Sequence, residues 1–423
     1  MDFTQARTWA EIDLRALEHN YETVTSRLHG GASLLAVLKA DAYGHGAVAV
    51  AKTLLQCADR ATPPAKPAPK SASLPHSAAA IASAEFAAPR TAVVPTFAVA
   101  TLPEAVELRE AGVAAPILIL GVTPPEFTGE LIARGIIQTV TDFPSAQGYS
   151  TAAAALGKTL NLHAKLDTGM GRLGFQSPLA LALAMKLPAL NLTGAYTHFA
   201  VADEADGADF TRRQFHEFEK LLHDAEHLSG KRFRVRHCAN SGGTLNFPEF
   251  QLDLARAGIL LYGYPPGRWM DEPAAPEPSK SPKTPKPRGL DLSPVMRLKT
   301  RVAQLKNLSP GDRVSYGGVF EATRPGRAAI LPIGYADGLH RSLSGKLEVL
   351  LNGRRARQIG RVCMDLCVVD VTDIPDAAVG DVATVFGGAP AMTAWDVAEL
   401  ADTVPYEILC AVSARVPRVY LGA

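Results

Sequence analysis

Residues 160–197 contain three runs in succession: Leu160-Asn161-Leu162-His163-Ala164-Lys165-Leu166, then Pro178-Leu179-Ala180-Leu181-Ala182-Leu183-Ala184-Met185-Lys186, then Leu192-Thr193-Gly194-Ala195-Tyr196-Thr197. The outer two are short and largely apolar, as buried strands are, and the middle one reads as a helix. Together they form one β–α–β unit. Working outward, the alternation recurs in Leu34–Leu38, Thr96–Ala100, Ile117–Leu120, Ile136–Val140, Arg234–Cys238 and Leu252–Ala255, with helical stretches such as Glu104–Glu110 and Phe210–Leu228 between them. Asp13 is placed to cap a first helix whose apolar stripe is Leu14, Leu17, Tyr21, Val24 and Leu28. Eight β units with intervening helices over about 220 residues predict an α/β fold, a (β/α)8 TIM-type barrel rather than an open sheet. The glycine spacing of a dinucleotide or nucleoside-triphosphate fold is missing at the first strand.

Beyond Val295 the pattern changes. The runs Arg297–Leu305, Ala328–Pro332, Leu347–Leu351, Gln358–Val362, Cys367–Val371 and Val382–Val385 are short, β-branched and separated by glycine turns, and only Ala394–Asp402 reads as helix. A mostly β C-terminal domain is therefore expected over 295–423, after a barrel over 1–264. Proline marks the seams. Of 31 prolines in 423 residues, six fall in 62–90 and nine in 265–294, stretches without apolar periodicity. The first reads as an insertion at about 60–92, the second as a linker between the domains.

Lys+Arg 43 against Asp+Glu 42 leaves a net charge of +1, so no global field favours nucleic acid or an anionic membrane. No apolar run reaches the roughly 18 residues of a spanning helix. Met1-Asp2-Phe3-Thr4-Gln5 lacks the basic and apolar regions of a signal peptide, which points to the cytoplasm. Cys57, Cys238, Cys363, Cys367 and Cys410 are odd in number and form no C-x-x-C pair, a pattern of reduced thiols rather than disulfides or a metal site.

In a barrel of this kind, chemistry gathers at the C-terminal ends of the strands. Lys39 follows the first strand, Asp167 and Arg172 the fifth, His198 the sixth, Asn240 and Ser241 the seventh, and Arg256 the eighth. A lysine at an apolar barrel mouth has a lowered pKa and can condense with an aldehyde. Loops after strands seven and eight often bind phosphate, and here they are Asn240-Ser241-Gly242-Gly243 and Ala257-Gly258-Ile259. Lysine plus phosphate site points to pyridoxal 5′-phosphate; a sugar-phosphate aldolase meets the same two criteria.

The segment Lys39-Ala40-Asp41-Ala42-Tyr43-Gly44-His45-Gly46 resembles the cofactor-binding segment of the alanine racemase family. Further similar motifs follow in order: Lys165–Gly174, Tyr196–Ala200, His237–Ser241, Val314–Gly317, Gly334–Gly338, Gly360–Asp365 and Tyr406–Cys410. The resemblance spans the chain apart from the two proline-rich stretches. It implies that Lys39 holds the cofactor and is one catalytic base, and that Tyr316 is the other, on the opposite face of the substrate Cα. Tyrosine near its ordinary pKa of ~10 needs a helper at neutral pH, and His198 is the implied relay.

The same resemblance sets Arg256 against the pyridine nitrogen, where a guanidinium can only donate. That choice weakens the ring as an electron sink and favours racemisation over transamination. Arg172 is implied to bind the substrate carboxylate, aided by Lys165, which is carbamylated in some members. Tyr43, Asn240, Ser241, Gly258, Ile259 and Tyr406 are implied to bind the cofactor, all but Asn240 at its phosphate, while Met364, Tyr335 and Asp365 shape the entrance and side-chain pocket. Tyr316 and Met364 would come from the partner in a homodimer with shared sites. The expected activity is interconversion of L- and D-alanine, supplying D-alanine for peptidoglycan. A broader-specificity racemase and a same-fold amino-acid decarboxylase are the alternatives, and a bare-barrel cofactor carrier is disfavoured by the β domain.

Overall fold

The computed structural model describes residues 6–61, 96–267 and 290–422. It begins with strand β1 (Thr8–Asp13) and helix α1 (Leu14–Thr25). Asp13 caps that helix, its Oδ1 accepting from the N–H groups of Arg15 and Ala16 at 3.1 Å each. Eight parallel strands follow: β2 (Ser33–Val37), β3 (Phe97–Val99), β4 (Ile117–Ile119), β5 (Ile136–Val140), β6 (Leu160–Lys165), β7 (Leu190–Tyr196), β8 (Val235–His237) and β9 (Leu254–Ala257). Each pairs with the next from β2 to β8, and β9 returns to pair with β2. The seam between β9 and β8 is closed by Asp253 N–H to Arg236 O and Arg256 N–H to Ala239 O, each 3.0 Å. These are the eight runs read from the sequence, displaced by no more than two residues at their ends.

Helices such as Leu102–Glu110, Pro178–Lys186 and Ala208–Ser229 pack outside the ring. Strand residues facing them are apolar, including Leu162, Ala164, Ala195, Ala255 and Ala257, all buried. The alternate positions face the barrel interior, and toward the C-terminal end they turn polar: His163, Lys165, Tyr196, His237 and Arg256. Arg256 therefore lies within β9 and not after its strand, as the sequence had suggested, because β9 extends two residues further than its apolar run.

The C-terminal domain is built on a nine-stranded sheet, and β1 belongs to it. Thr8–Ile12 pairs antiparallel with Thr300–Met296, and on its other edge Ala10–Asp13 pairs parallel with Arg418–Leu421. The first strand of the chain thus completes the sheet of the last domain, although residues 1–264 had been read as barrel. A second short helix, Pro405–Ala411, follows Ala394–Ala401 where one had been expected. Both ends of the proline-rich stretch 265–294 are packed against the domains: Trp395 Nε1 donates to Pro265 O at 3.2 Å, and Asn20 Nδ2 to Ser293 O at 2.8 Å. The insertion read at about 60–92 lies almost wholly outside the described residues. No helix is long and apolar enough to cross a membrane among the described residues.

Candidate active site

The C-terminal mouth of the barrel opens into a cleft of about 310 Å³. Lys39, Tyr43, Lys165, Arg172, His198, Asn240, Ser241, Arg256, Gly258 and Tyr406 all line it, so ten of the expected residues converge. Ile259 is fully buried just behind, in the turn after β9.

Lys39 is delivered by an unusual piece of backbone. Ala40, Asp41, Ala42 and Tyr43 all have φ between 53° and 56°, a turn of left-handed helix that L-residues adopt at about 1–2 kcal/mol apiece. Hydrogen bonds from all sides offset that strain. Ala40 N–H donates to Glu104 Oε1 at 2.7 Å, and Ala47 N–H to Asp41 Oδ1 at 2.6 Å. His45 Nδ1 sits 2.8 Å from Ala42 O and 3.0 Å from Tyr43 O, and Arg418 Nε donates to Gly44 O at 2.9 Å. The turn aims Lys39 and Tyr43 into the same cleft.

Charge in the cleft is one-sided. Lys39, Lys165, Arg172 and Arg256 face a single lining carboxylate, Asp203. Desolvation, then the charge of Arg172, lowers the Lys39 pKa; the same causes, with Arg256, bring Lys165 down to about 8. His198 is held well below the usual imidazole range by desolvation and the Arg256 charge, so its ring is neutral. Such a site is made for anions.

Arg256 is buried and bonds to no carboxylate. Its Nη1 meets His237 Nδ1 at 2.8 Å and His237 O at 3.1 Å, and Nη2 donates to Thr197 O and Cys238 O at 2.7 and 2.8 Å. Four of its five N–H groups are engaged, and the Nε–H is left for the cleft. On the opposite side, Gly258 N–H donates to Ser241 Oγ at 3.1 Å, and a Cβ on Gly258 would lie 2.3 Å from the Tyr43 hydroxyl. Only glycine lets that phenol approach. Tyr43 and Tyr406 rings lie 5.9 Å apart there, so two phenols, a hydroxyl and an amide converge, with Asp203 on the same side of the cleft. A primary amine, this donor cradle and a donating guanidinium fit the aldehyde, phosphate and ring nitrogen of pyridoxal 5′-phosphate.

The remaining expected residues are elsewhere. Tyr316, Met364 and Asp365 line a separate depression of about 380 Å³ on the C-terminal domain, with Ser315, Cys363 and Leu366. Tyr316 is 70% exposed and Met364 53%. Tyr335 is exposed beside them, its N–H bonded to Cys363 O at 3.0 Å. The loops of Tyr335 and Asp365 hang on the buried carboxylate of Asp337, which accepts from Arg7, Arg415 and the Gly334 N–H at 3.0, 2.7 and 2.9 Å, while beside Tyr316 the Ser315 hydroxyl donates to Arg361 O at 2.7 Å.

Tyr196, Asp203 and Leu173 also line the cleft and had been given no role. Tyr196 was signalled by its place in an inward-facing strand position, two residues after Gly194. Asp203 lies in a loop that carries no periodicity. Among the described residues no cluster of His, Cys, Asp or Glu is arranged to hold a metal ion.

Two family models cover both domains: "Alanine racemase, N-terminal domain" matches residues 12–62 and 70–266, and "Alanine racemase, C-terminal domain" matches 295–420. The chain is 41% identical over 416 residues to an alanine racemase of Desulfovibrio desulfuricans, covering 98% of each protein. It is 38% identical over 418 residues to that of Desulforamulus reducens, covering 98% of this chain and 99% of the relative. Among solved structures, an alanine racemase from Bacillus anthracis with bound L-Ala-P superposes with a TM-score of 0.81 at 30% identity, covering 98% of this chain and 95% of the other. A histidine racemase from Leuconostoc mesenteroides has the same fold at 27% identity, with a TM-score of 0.78 and 99% of both chains covered.

Proposed function

The chain belongs to the alanine racemase family, and from that premise we propose that Lys39 and Tyr316, one from each subunit of a homodimer, work the two faces of Cα as the enzyme interconverts L- and D-alanine. Pyridoxal 5′-phosphate, when bound, would supply an aldehyde that captures amines and a conjugated system that acidifies the Cα proton. Lys39 holds it and, with its lowered pKa, has a neutral amine within reach to take or return the Cα proton. Tyr316 of the partner handles the proton on the opposite face, with the neutral His198 ring as relay.

Tyr43, Ser241, Gly258, Ile259 and Tyr406 hold the phosphate, and Asn240 caps their loop by accepting from Gly243 N–H at 2.9 Å. Arg172 takes the substrate carboxylate. Lys165, its pKa lowered to about 8, offers a larger share of the free amine that carbamylation needs than an ordinary lysine, and once carbamylated orients Arg172. Met364, Tyr335 and Asp365, brought by the partner, narrow the entrance and leave room for a methyl group. The D-alanine so formed serves peptidoglycan synthesis in the cytoplasm, where the five free cysteines stay reduced.

Arg256 carries this reading. A group that only donates leaves the ring nitrogen without a proton, keeps the charge at Cα and favours simple proton return. A decarboxylase or aminotransferase gains from an acid there. Incubation with L-alanine in deuterated water tests the proposal: D-alanine with deuterium at Cα is expected, and its absence overturns the reading. The histidine racemase of the same fold makes substrate breadth worth measuring, so serine, lysine and histidine belong in the same assay.

A further inference from the structure

Behind Arg256, away from the cleft, lie two imidazoles that no step above uses. His237 Nδ1 is 2.8 Å from Arg256 Nη1, and His237 Nε2 is 3.0 Å from His163 Nδ1. Both rings are fully buried. His237 is stacked on Tyr196, centroids 4.7 Å apart and planes 12° from parallel. His163 lies flat against Gly194 of β7, where a Cβ would come within 2.4 Å of its Cε1 and Nε2. Neither ring has room to turn.

That packing fixes the protons. A guanidinium donates and never accepts, so His237 Nδ1 carries a lone pair toward Arg256. A neutral ring then bears its proton on Nε2, which donates to His163 Nδ1. His163 in turn bears its proton on Nε2, and that atom is buried with no partner. Burial keeps both rings neutral: the His163 pKa falls to about 3, and that of His237 lies well below the imidazole range. An orphaned donor in a barrel interior destabilises the fold, so packing alone does not account for a histidine at 163.

We propose that His163 is a positioning residue for Arg256: by accepting from His237 Nε2–H it holds His237 as an acceptor, and so holds the guanidinium with its Nε–H free for the ring nitrogen of the cofactor. The proposal rests on the racemase reading for the purpose of this arrangement. The chain of protons itself does not depend on that reading.

The test has two arms. In the full-length protein labelled with ¹⁵N-histidine at pH 7, with and without cofactor, long-range nitrogen–proton spectra assigned through His163→Asn and His237→Asn report the tautomers. Both rings are expected neutral with the proton on Nε2. A proton on His237 Nδ1, or a charged ring at either position, overturns the proposal. In the second arm, His163→Phe removes the acceptor at similar volume, while His163→Asn keeps one near the Nδ1 position. For the Phe variant kcat should fall about ten-fold, with KM for alanine within about two-fold, as expected when a buried donor is left unpaired beside the reacting group. The Asn variant should recover most of that loss and retain the His237 Nε2–H signal. Wild-type kcat in the Phe variant, or equal loss in both variants, reduces His163 to packing. Should the Phe variant fail to fold, the His237 signal in the Asn variant decides. An enzyme that loads cofactor yet racemises nothing defeats the function proposal while leaving the tautomer result standing.

Discussion

The barrel mouth and the Tyr316 depression are assigned to one reaction, yet they are built in opposite ways. At the mouth, the floor is buried, with Tyr43, Lys165, Ser241 and Arg256 closed off from solvent and Arg256 alone making four hydrogen bonds, while Lys39 and Arg172 stand at the opening. The depression presents Tyr316, Met364 and Leu366 to solvent, with Tyr335 exposed beside them, a concentration of large apolar groups that soluble surfaces seldom leave uncovered. One half is organised within the chain. The other is organised only as far as its loops, through Asp337, and its side chains wait for a surface to meet. A site divided this way ties catalysis to assembly.

The sharpest attempt to break that division is to mix inactive subunits. Lys39→Ala and Tyr316→Ala should each abolish racemisation, and co-refolded mixtures should regain about a quarter of the wild-type activity, since half of randomly paired dimers carry one intact site. No recovery in a mixed dimer shown by mass would place both bases in one chain. Next in size, Tyr316→Phe should slow proton removal from L-alanine by about 10²–10⁴-fold and from D-alanine far less, as read from deuterium wash-in for each enantiomer. Equal losses would contradict the assignment of one base to each face.

A third prediction concerns the scaffold under the exposed half. Asp337→Asn removes a carboxylate that accepts from two arginines and should destabilise the protein by about 3 kcal/mol in denaturant unfolding. KM should rise more than kcat falls, because the loops with Tyr335 and Met364 loosen while the barrel mouth is untouched. The smallest effect tests the buried half. Lys165 has a folded pKa of about 8, below its unfolded value of about 10.4, so the native state binds fewer protons between those values and stability rises with pH there. Lys165→Met should therefore stabilise the unmodified protein by roughly 2 kcal/mol at pH 7, and the gain should shrink as pH rises toward 10. A constant gain across that range would mean that Lys165 is not held against its charge.

The barrel was legible because each strand is a local pattern: a short apolar run ending in a polar residue. Of the ten cleft residues, Lys39, Arg172, His198, Asn240, Ser241, Arg256 and Gly258 were legible from strand ends and the loops after them, whereas Tyr43, Lys165 and Tyr406 were reached only through the family resemblance, Tyr406 lying on a helix of the other domain. β1 escaped because Thr-Trp-Ala-Glu-Ile-Asp alternates weakly and its antiparallel partners begin at Met296, which pairs with Ile12 across 284 positions. The helix Pro405–Ala411 has seven residues, too few for a helical period to register. The left-handed turn at Ala40–Tyr43 contains no glycine and is imposed by tertiary hydrogen bonds, so no propensity announces it. His163 sits two places before Lys165, and His237 opens the family-like segment His237–Ser241, both on inward-facing positions. Their partnership runs across three strands and exists only in the closed barrel.

The pairing of β1 with residues 418–421 also sets an order of events during synthesis. The first strand leaves the ribosome long before either of its neighbours, and at about 5–20 residues per second it stays unmatched for roughly a quarter of a minute to a minute. The barrel can close in that interval, but its Lys39 turn, tethered by Arg418, cannot be finished until the final strand arrives. A chain cut before Arg418 would carry every strand of the barrel and still lack this fastening of the turn that follows its lysine. Closing the barrel and fastening its amine are thus two separate events in the folding of this chain.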